Sequence, residues 1–327
     1  MNRIPRRHFA GGLAMGAAIF QVKAASLEDR LAPPGGKVQA VVDSDTYNEI
    51  DDQFAVAYAL LSPRHMEVEA VYAAPFLNSR STSAGDGMQK SYDEILRILA
   101  RLGRKPQGFA FTGSTRFFAK AGDAVDSPAA RDLVAKALQP RTAPLYVITI
   151  GAPTNVSAAL LMEPKIRDRI VVVWMGGRPY DMEHTREFNL RQDLHASRVL
   201  FDSGVALMNI PGTNVSEHLR TTVAEMDRFL GGKSGIGGYL RAEFAKYAQE
   251  HMPRPGMAWS KVIWDISAVA WLIEPKWVPS KVVPSPVLTD EVTFRAGANR
   301  HPVRVATGCN RDAIFTDLFE KLAAASK

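Results

Sequence analysis

The chain has 327 residues, with 40 Lys and Arg against 34 Asp and Glu and a single Cys. That length allows one large domain or two ordinary ones. With 46% hydrophobic and 23% charged residues the composition is that of an ordinary globular chain, which excludes disorder and collagen-like or coiled-coil character. One cysteine, Cys309, excludes an internal disulfide and any Cys-based zinc site.

The net charge of +6 would point to a polyanion partner if it were clustered on the folded domain. It sits at the start instead. Residues 1–25 carry Arg3, Arg6, Arg7 and Lys23 and no acid, and without those four the rest of the chain has 36 basic residues against 34 acidic ones. Nucleic acid is therefore not an expected partner. The same stretch reads as a twin-arginine-type export signal: Arg6-Arg7 before Phe9, an apolar run from Gly11 to Phe20, and small residues at Ala24 and Ala25 that suit cleavage. The run is too short for a membrane-spanning helix, which needs about 20 residues, and nothing later in the chain spans a membrane. The competing reading is a disordered basic tail. The expectation is an exported protein of the bacterial periplasm, with residues 26–36 leading into one domain over residues 37–327.

From Lys37 onward strand-like and helix-like segments alternate. Val38–Val42 is an apolar run fit for a buried strand. Ile50, Phe54, Ala57, Tyr58 and Leu61 then recur at helical spacing until Pro63. Val68–Ala74 reads as a strand and Met88–Arg101 as a helix. Ser127-Pro128 is a helix start, with a capping Ser and Pro in the first turn. Leu145–Ile150 and Ile170–Trp174 are strands around a helix near Asn155–Met162, and Val205–Ile210 is another strand. The remainder reads as helical to about Ile273, then as Pro-broken extended segments, with a final helix at Asp312–Ala325. Such alternation, with no linker and no repeat, predicts an α/β fold: a single domain with an open, mixed, mostly parallel sheet flanked by helices.

Directly after the first strand the chain reads Asp43-Ser44-Asp45-Thr46-Tyr47-Asn48-Glu49-Ile50-Asp51-Asp52, five acids in ten residues at a strand end, where open α/β sheets bind their ligands. A helix dipole favours acids in a first turn and accounts for Asp51 and Asp52. It does not account for Asp43 and Asp45. Packed together the four would raise one another's pKa unless a cation sat among them, and a hard divalent ion, Ca²⁺ or Mg²⁺, suits oxygen ligands. Far along the chain, Val262–Ile273 reads as a helix apolar nearly all round, so Asp265 is a carboxylate in an apolar setting that calls for a salt bridge or a metal. Gly151-Ala152-Pro153-Thr154-Asn155 forms a turn at a strand end, with Thr154 or Asn155 placed to cap the next helix. Met175-Gly176-Gly177 ends another strand, and Glu187-Phe188-Asn189 follows with groups suited to sugar hydroxyls.

This set, in this order over roughly residues 38 to 270, resembles the inosine–uridine-type nucleoside hydrolases. The resemblance implies an α/β fold, Ca²⁺ at the bottom of a pocket and hydrolysis of the N-glycosidic bond between ribose and a base. It implies that Asp45, Asp52, Asp265 and the carbonyl of Thr154 hold the ion, that Asp51, Glu187 and Asn189 bind ribose hydroxyls, and that Met175 lines the sugar. Asn78, after the second strand, lies where the family often places a sugar-contacting Asn. Asp45 is expected to act as general base on a metal-bound water that attacks C1′. Three departures stand out. Five residues, Thr46 to Ile50, separate Asp45 from Asp51, where the commonest family pattern has a shorter Pro-Gly linker. Trp264 precedes Asp265 where many members have a His. The stretch Asp181–His184 lacks the Asn expected before Glu187. The purine-preferring members are similar to this chain in having Trp at that position, and Trp264 can stack on a purine. Family members form dimers and tetramers, so a homo-oligomer is expected from the resemblance alone. Two other readings compete. One is an exported protein that binds Ca²⁺ and a nucleoside or sugar without turnover. The other is an aspartyl-phosphate phosphohydrolase with its nucleophile in Asp43-Ser44-Asp45-Thr46.

Overall fold

The computed structural model describes Met1 and residues 26–326. The export signal expected over residues 1–25 therefore lies, but for Met1, outside the described residues. The strands are β1 (Val38–Ser44), β2 (Met66–Ala73), β3 (Ala110–Thr112), β4 (Leu145–Thr149), β5 (Ile170–Met175), β6 (Ala206–Ile210), β7 (Arg220–Thr221), β8 (Lys261–Val262), β9 (Ser280–Pro284), β10 (Val287–Leu288), β11 (Phe294–Arg295) and β12 (Pro302–Ala306). The helices are α1 (Leu27–Leu31), α2 (Asp51–Leu60), α3 (Ala84–Arg101), α4 (Pro128–Leu138), α5 (Thr154–Met162), α6 (Phe188–Gln192), α7 (Leu194–Asp202), α8 (Val223–Leu230), α9 (Gly235–His251), α10 (Ile266–Ile273) and α11 (Arg311–Ala324).

Eight strands form one sheet in the order β3-β2-β1-β4-β5-β6-β12-β9. Every neighbouring pair is parallel except β12 with β9, which closes one edge antiparallel. The sheet is thus mixed and mostly parallel, as the alternation predicts. β4 and β5 are buried along their whole length, which is why they read as unbroken apolar runs rather than alternating ones. In β1 successive residues serve opposite faces: Ala40 and Val42 pack with α2, α3 and α8 to α11, and Val41 with α4, α5 and α7. Strand order reverses between β1 and β4, and a crevice opens at their carboxyl ends at such a switch point.

Most expected elements are present, with three differences. α3 begins at Ala84, four residues before the expected start, because Ser83 accepts a hydrogen bond from the Asp86 amide and nucleates the helix there. The apolar segment Val262–Ile273 is not one helix. Lys261 and Val262 pair with Arg220 and Thr221, and the Ile263 amide donates to the Leu219 carbonyl at 2.8 Å, so the backbone is committed to a ladder until Asp265 and turns helical only at Ile266. The Pro-broken region after α10 supplies two strands, β9 and β12, to the main sheet. The leader over residues 26–36 is docked: α1 packs on β6 and β12, the Arg30 guanidinium pairs with Asp168 at 3.1 Å and Arg304 donates to the Leu31 carbonyl. Among the described residues no helix is long and apolar enough to cross a membrane.

Candidate active site

Three of the helices that begin at the crevice are not capped in the ordinary way. The N-cap of α2 is Ile50, that of α5 is Pro153 and that of α10 is Asp265, and no side chain bonds the first-turn amides of any of them. Neither Thr154 nor Asn155 caps α5, contrary to the expectation from the turn sequence. The Thr154 hydroxyl donates to Asp193 at 2.9 Å, and Asn155 reaches back to donate to the Asp43 carboxylate at 2.8 Å and the Ala73 carbonyl at 3.1 Å. Asp265 would be a good cap by type, yet its carboxylate is turned away from its own helix and toward α2.

The result is an acid cluster between α2 and α10. Ligand oxygens of Asp51, Asp52 and Asp265 lie within 4.8 Å of one another, and all three residues are buried. Asp45 stands beside Asp52 and behind the cavity wall, and a Cβ on Gly151 would meet its carboxyl carbon at 3.0 Å, so only glycine at 151 leaves that carboxylate its place. Both oxygens of Asp45 are buried and no donor among the described residues reaches either. Asp52 accepts a hydrogen bond from the Ser44 hydroxyl at 2.7 Å. Thr154 is fully buried at the first position of α5.

Burial and mutual repulsion dominate the electrostatics. Desolvation first, then the charges of Asp52 and Asp51, hold the Asp45 carboxyl well above the usual carboxylate range. Asp52 and Asp265 are raised in the same way, by burial and then by neighbouring acids. Asp51 is pushed up to about 6 by burial, with Lys261 pulling the other way. Lys261 forms an ion pair with Glu49, and these two acids raise its pKa although burial opposes them. Burial likewise pushes Asp43 to about 7, against its bond from Asn155. A group of carboxylates with orphaned oxygens, short of donors and cations, is the donor set of a hard divalent ion: such ions take six or more oxygens, and a charged carboxylate without a partner costs several kcal/mol, or about that much to keep protonated. The residues present fit such an ion.

A cavity of about 280 Å³ opens above the acids, near the small end of the usual range of about 300–1,000 Å³ for ligand pockets. Of the expected substrate contacts, Asp51, Met175, Glu187, Asn189 and Trp264 line it. Glu187 caps α6, accepting from the amides of Gly177 at 2.7 Å, Asn189 at 2.9 Å and Leu190 at 3.1 Å. Gly177 has φ +74°, a conformation open to glycine, which turns its amide onto Glu187. The Asn189 amide nitrogen is committed to the carbonyls of Met175 at 3.0 Å and Ile150 at 3.3 Å, which leaves its oxygen as the group to face a ligand.

Asn78 is a correction. It does not line the cavity; its amide donates to the Asn48 side-chain oxygen at 2.7 Å and to the Asn48 carbonyl at 3.2 Å. Asn48, on the longer acid loop, lines the cavity instead. Glu49, Arg178 and Arg186 also line it and escaped the sequence reading. Glu49 and Asn48 could have been found as the polar members of the loop insertion, whereas nothing local marks the two arginines. Asp43, the first acid of the segment Asp43-Ser44-Asp45-Thr46, is fully buried, accepts a hydrogen bond from Asn155 and is absent from the cavity wall.

An open, mostly parallel sheet with a buried acid cluster at its switch point and a small cavity above defines a class: α/β hydrolytic enzymes whose site is built from oxygen ligands. The family model described as inosine-uridine preferring nucleoside hydrolase matches residues 40–316, and the chain belongs to that family. It is a hydrolase acting on N-glycosyl bonds. It is 25% identical over 262 residues to the pyrimidine-specific ribonucleoside hydrolase RihA of Salmonella paratyphi A, covering 72% of this chain and 79% of that one. The RihA of Escherichia coli is 25% identical over 250 residues, covering 69% and 77%. Among solved structures, the purine-preferring ribonucleoside hydrolase from Gardnerella vaginalis has the same fold, with a TM-score of 0.64 at 21% identity over 88% of this chain and 98% of that one.

Proposed function

We propose that this enzyme hydrolyses purine-leaning ribonucleosides to base and ribose with Ca²⁺ held by Asp45, Asp52, Asp265 and the Thr154 carbonyl, and with Asp45 as general base. The observation that carries this reading is Asp45 itself: a buried carboxylate, both oxygens without a donor, beside the acid cluster that floors the cavity. When bound, the ion would orient the ribose diol and make a water more acidic. Asp45 takes the proton of the attacking water. Asp51, Glu187 and Asn189 hold the sugar hydroxyls, and Met175 packs beneath the ring. The carboxylate-rich floor favours the positive charge that develops on the sugar as the C1′–N bond breaks.

The base preference rests on Trp264, which is half-buried and lines the cavity next to Asp265. The Salmonella relative is named for pyrimidines and the Gardnerella structure for purines, so an assay decides. With the Ca²⁺-loaded protein, guanosine and inosine are expected to release base faster than uridine. In Trp264→Ala the purine advantage is expected to fall by about 5- to 100-fold, from loss of about 1–3 kcal/mol of stacking. Equal rates on all three nucleosides, or an unchanged ratio in the variant, would remove the purine assignment. On the sequence of residues 1–25 we also propose that the enzyme is exported, and its recovery in the periplasmic rather than the cytosolic fraction of its host tests this.

A further inference from the structure

The cavity is lined by charged groups of both signs. The acids are Glu49, Asp51, Asp52 and Asp265, and the cations are Arg178 and Arg186. Neither arginine has a carboxylate partner among the described residues. The Arg178 guanidinium lies 3.5 Å from the ring nitrogens of His184, and that of Arg186 has no hydrogen bond at all. Other arginines of the chain do pair with acids, as Arg116 does with Asp123 at 2.6 Å and Arg300 with Asp202 at 2.6 Å.

The two arginines are nonetheless held by their backbones. The Arg178 amide donates to the Thr185 hydroxyl at 2.9 Å, the Gly177 amide to Glu187 at 2.7 Å, and the Arg186 amide to the His184 ring at 3.3 Å. Two short segments, 177–178 and 185–187, are thus tied side by side with one arginine on each. Among the described residues the Glu187 carboxylate pairs with neither arginine; it accepts from three backbone amides. A neutral nucleoside uses neither positive charge. A phosphate uses both, because guanidinium groups meet its oxygens in pairs of charge-assisted hydrogen bonds.

We propose that Arg178 and Arg186 form a subsite for an anionic group on C5′ of the sugar, and that the preferred substrate is a nucleoside 5′-phosphate. This rests on the N-glycosidic reading above. With the diol over the acids and the base against Trp264, the wall that remains for C5′ is the one carrying Glu187 and the arginines. In the reaction water adds across the C1′–N bond. The new C1′–O bond gives ribose 5-phosphate, and the proton lost from water balances the one gained by the departing base.

The test compares inosine with inosine 5′-phosphate, and uridine with uridine 5′-phosphate, on the Ca²⁺-loaded full-length protein, on Arg178→Gln and Arg186→Gln, and on the double variant. Expected is a kcat/KM for the phosphorylated member of a pair about 10- to 100-fold above that of the plain nucleoside, a ratio that drops in each single variant and approaches one in the double variant. A purely structural role of the arginines would slow both members together and leave the ratio in place. A wild-type ratio of one or less, or a ratio that survives the double substitution, overturns the proposal. If neither member is hydrolysed, the N-glycosidic reading fails separately, and calorimetric Kd values for the same pairs are read the same way: tighter binding of the phosphate, lost in the double variant, supports the subsite, and equal binding removes it.

Discussion

Replacing Asp45 by Asn is expected to move activity and stability in opposite directions. A general base contributes on the order of 10²–10⁴ in rate, so kcat should fall by at least about 100-fold. The metal-free chain should at the same time become more stable. Asp45 is fully buried, its oxygens have no donor, and Asp52 and Asp51 raise its pKa further. In the metal-free folded state the group must be kept protonated at neutral pH, or ionised among like charges, and either state costs on the order of a few kcal/mol that the amide avoids. The Tm of Asp45→Asn measured in chelator should therefore lie above that of the wild type, by several degrees for a chain of this size. If Asp45 is a ligand as proposed, the same substitution should also shrink the rise in Tm that Ca²⁺ produces. A variant that loses both activity and stability in chelator would show that Asp45 is part of the framework and that its role as base is wrong.

The second large effect is the pH dependence of the metal-free protein. Asp43 is raised to about 7 and Asp51 to about 6, both first by burial. A carboxyl whose folded pKa lies above its unfolded value favours folding fully below the unfolded value, near 4, and this contribution disappears as pH rises through the folded value. In chelator, then, the Tm should fall from about pH 4 to about pH 7, with a total loss on the order of several kcal/mol. Most proteins whose carboxylates are paired behave in the opposite way in this range. Adding millimolar Ca²⁺ should restore the Tm strongly at pH 7.5 and weakly at pH 4.5, because a cation competes with protons for the same oxygens. A parallel titration with Mg²⁺ reports which ion fits the cluster better. A Tm in chelator that is flat from pH 4 to pH 7.5 and unmoved by either ion would remove the metal site.

The sequence made the acid floor legible because its signal is local. Five acids after one strand conflict with every structural preference except the helix dipole, and Asp265 stands out in an apolar segment for the same reason. What the sequence could not show is which way these groups turn. Val262–Ile273 carries a continuous apolar pattern, and only its pairing with Arg220 and Thr221, some forty residues earlier in the chain, stops the helix short and makes Asp265 its N-cap. Asn78 and Asn48 show the same limit on a smaller scale. Both are polar residues at the mouth of the crevice, and which one faces the ligand is decided by a hydrogen bond between them. The parallel core was legible because β4 and β5 are buried on both faces. β12, the last parallel strand before the edge, was not, since it begins at Pro302 and its partner β6 lies about ninety residues away. Arg178 and Arg186 were silent for a similar reason: eight residues apart, they come to line one cavity through a loop that the Gly177–Glu187 bond closes.

The uncapped starts of α2, α5 and α10 also bear on how this protein can be engineered. A side-chain cap usually adds about 1 kcal/mol, so Ile50 and Pro153 look like simple places to gain thermostability with a Ser or Asp. Here that remedy would work against the enzyme. A new carboxylate at residue 50 would stand next to Asp51 and add to the repulsion in the cluster, and an Asp265 turned back onto its own first turn would be withdrawn from Asp51 and Asp52. Selection for stability alone would therefore tend to silence this enzyme, and variants chosen for heat resistance should be screened for turnover before their substitutions at residues 50, 153 and 265 are kept.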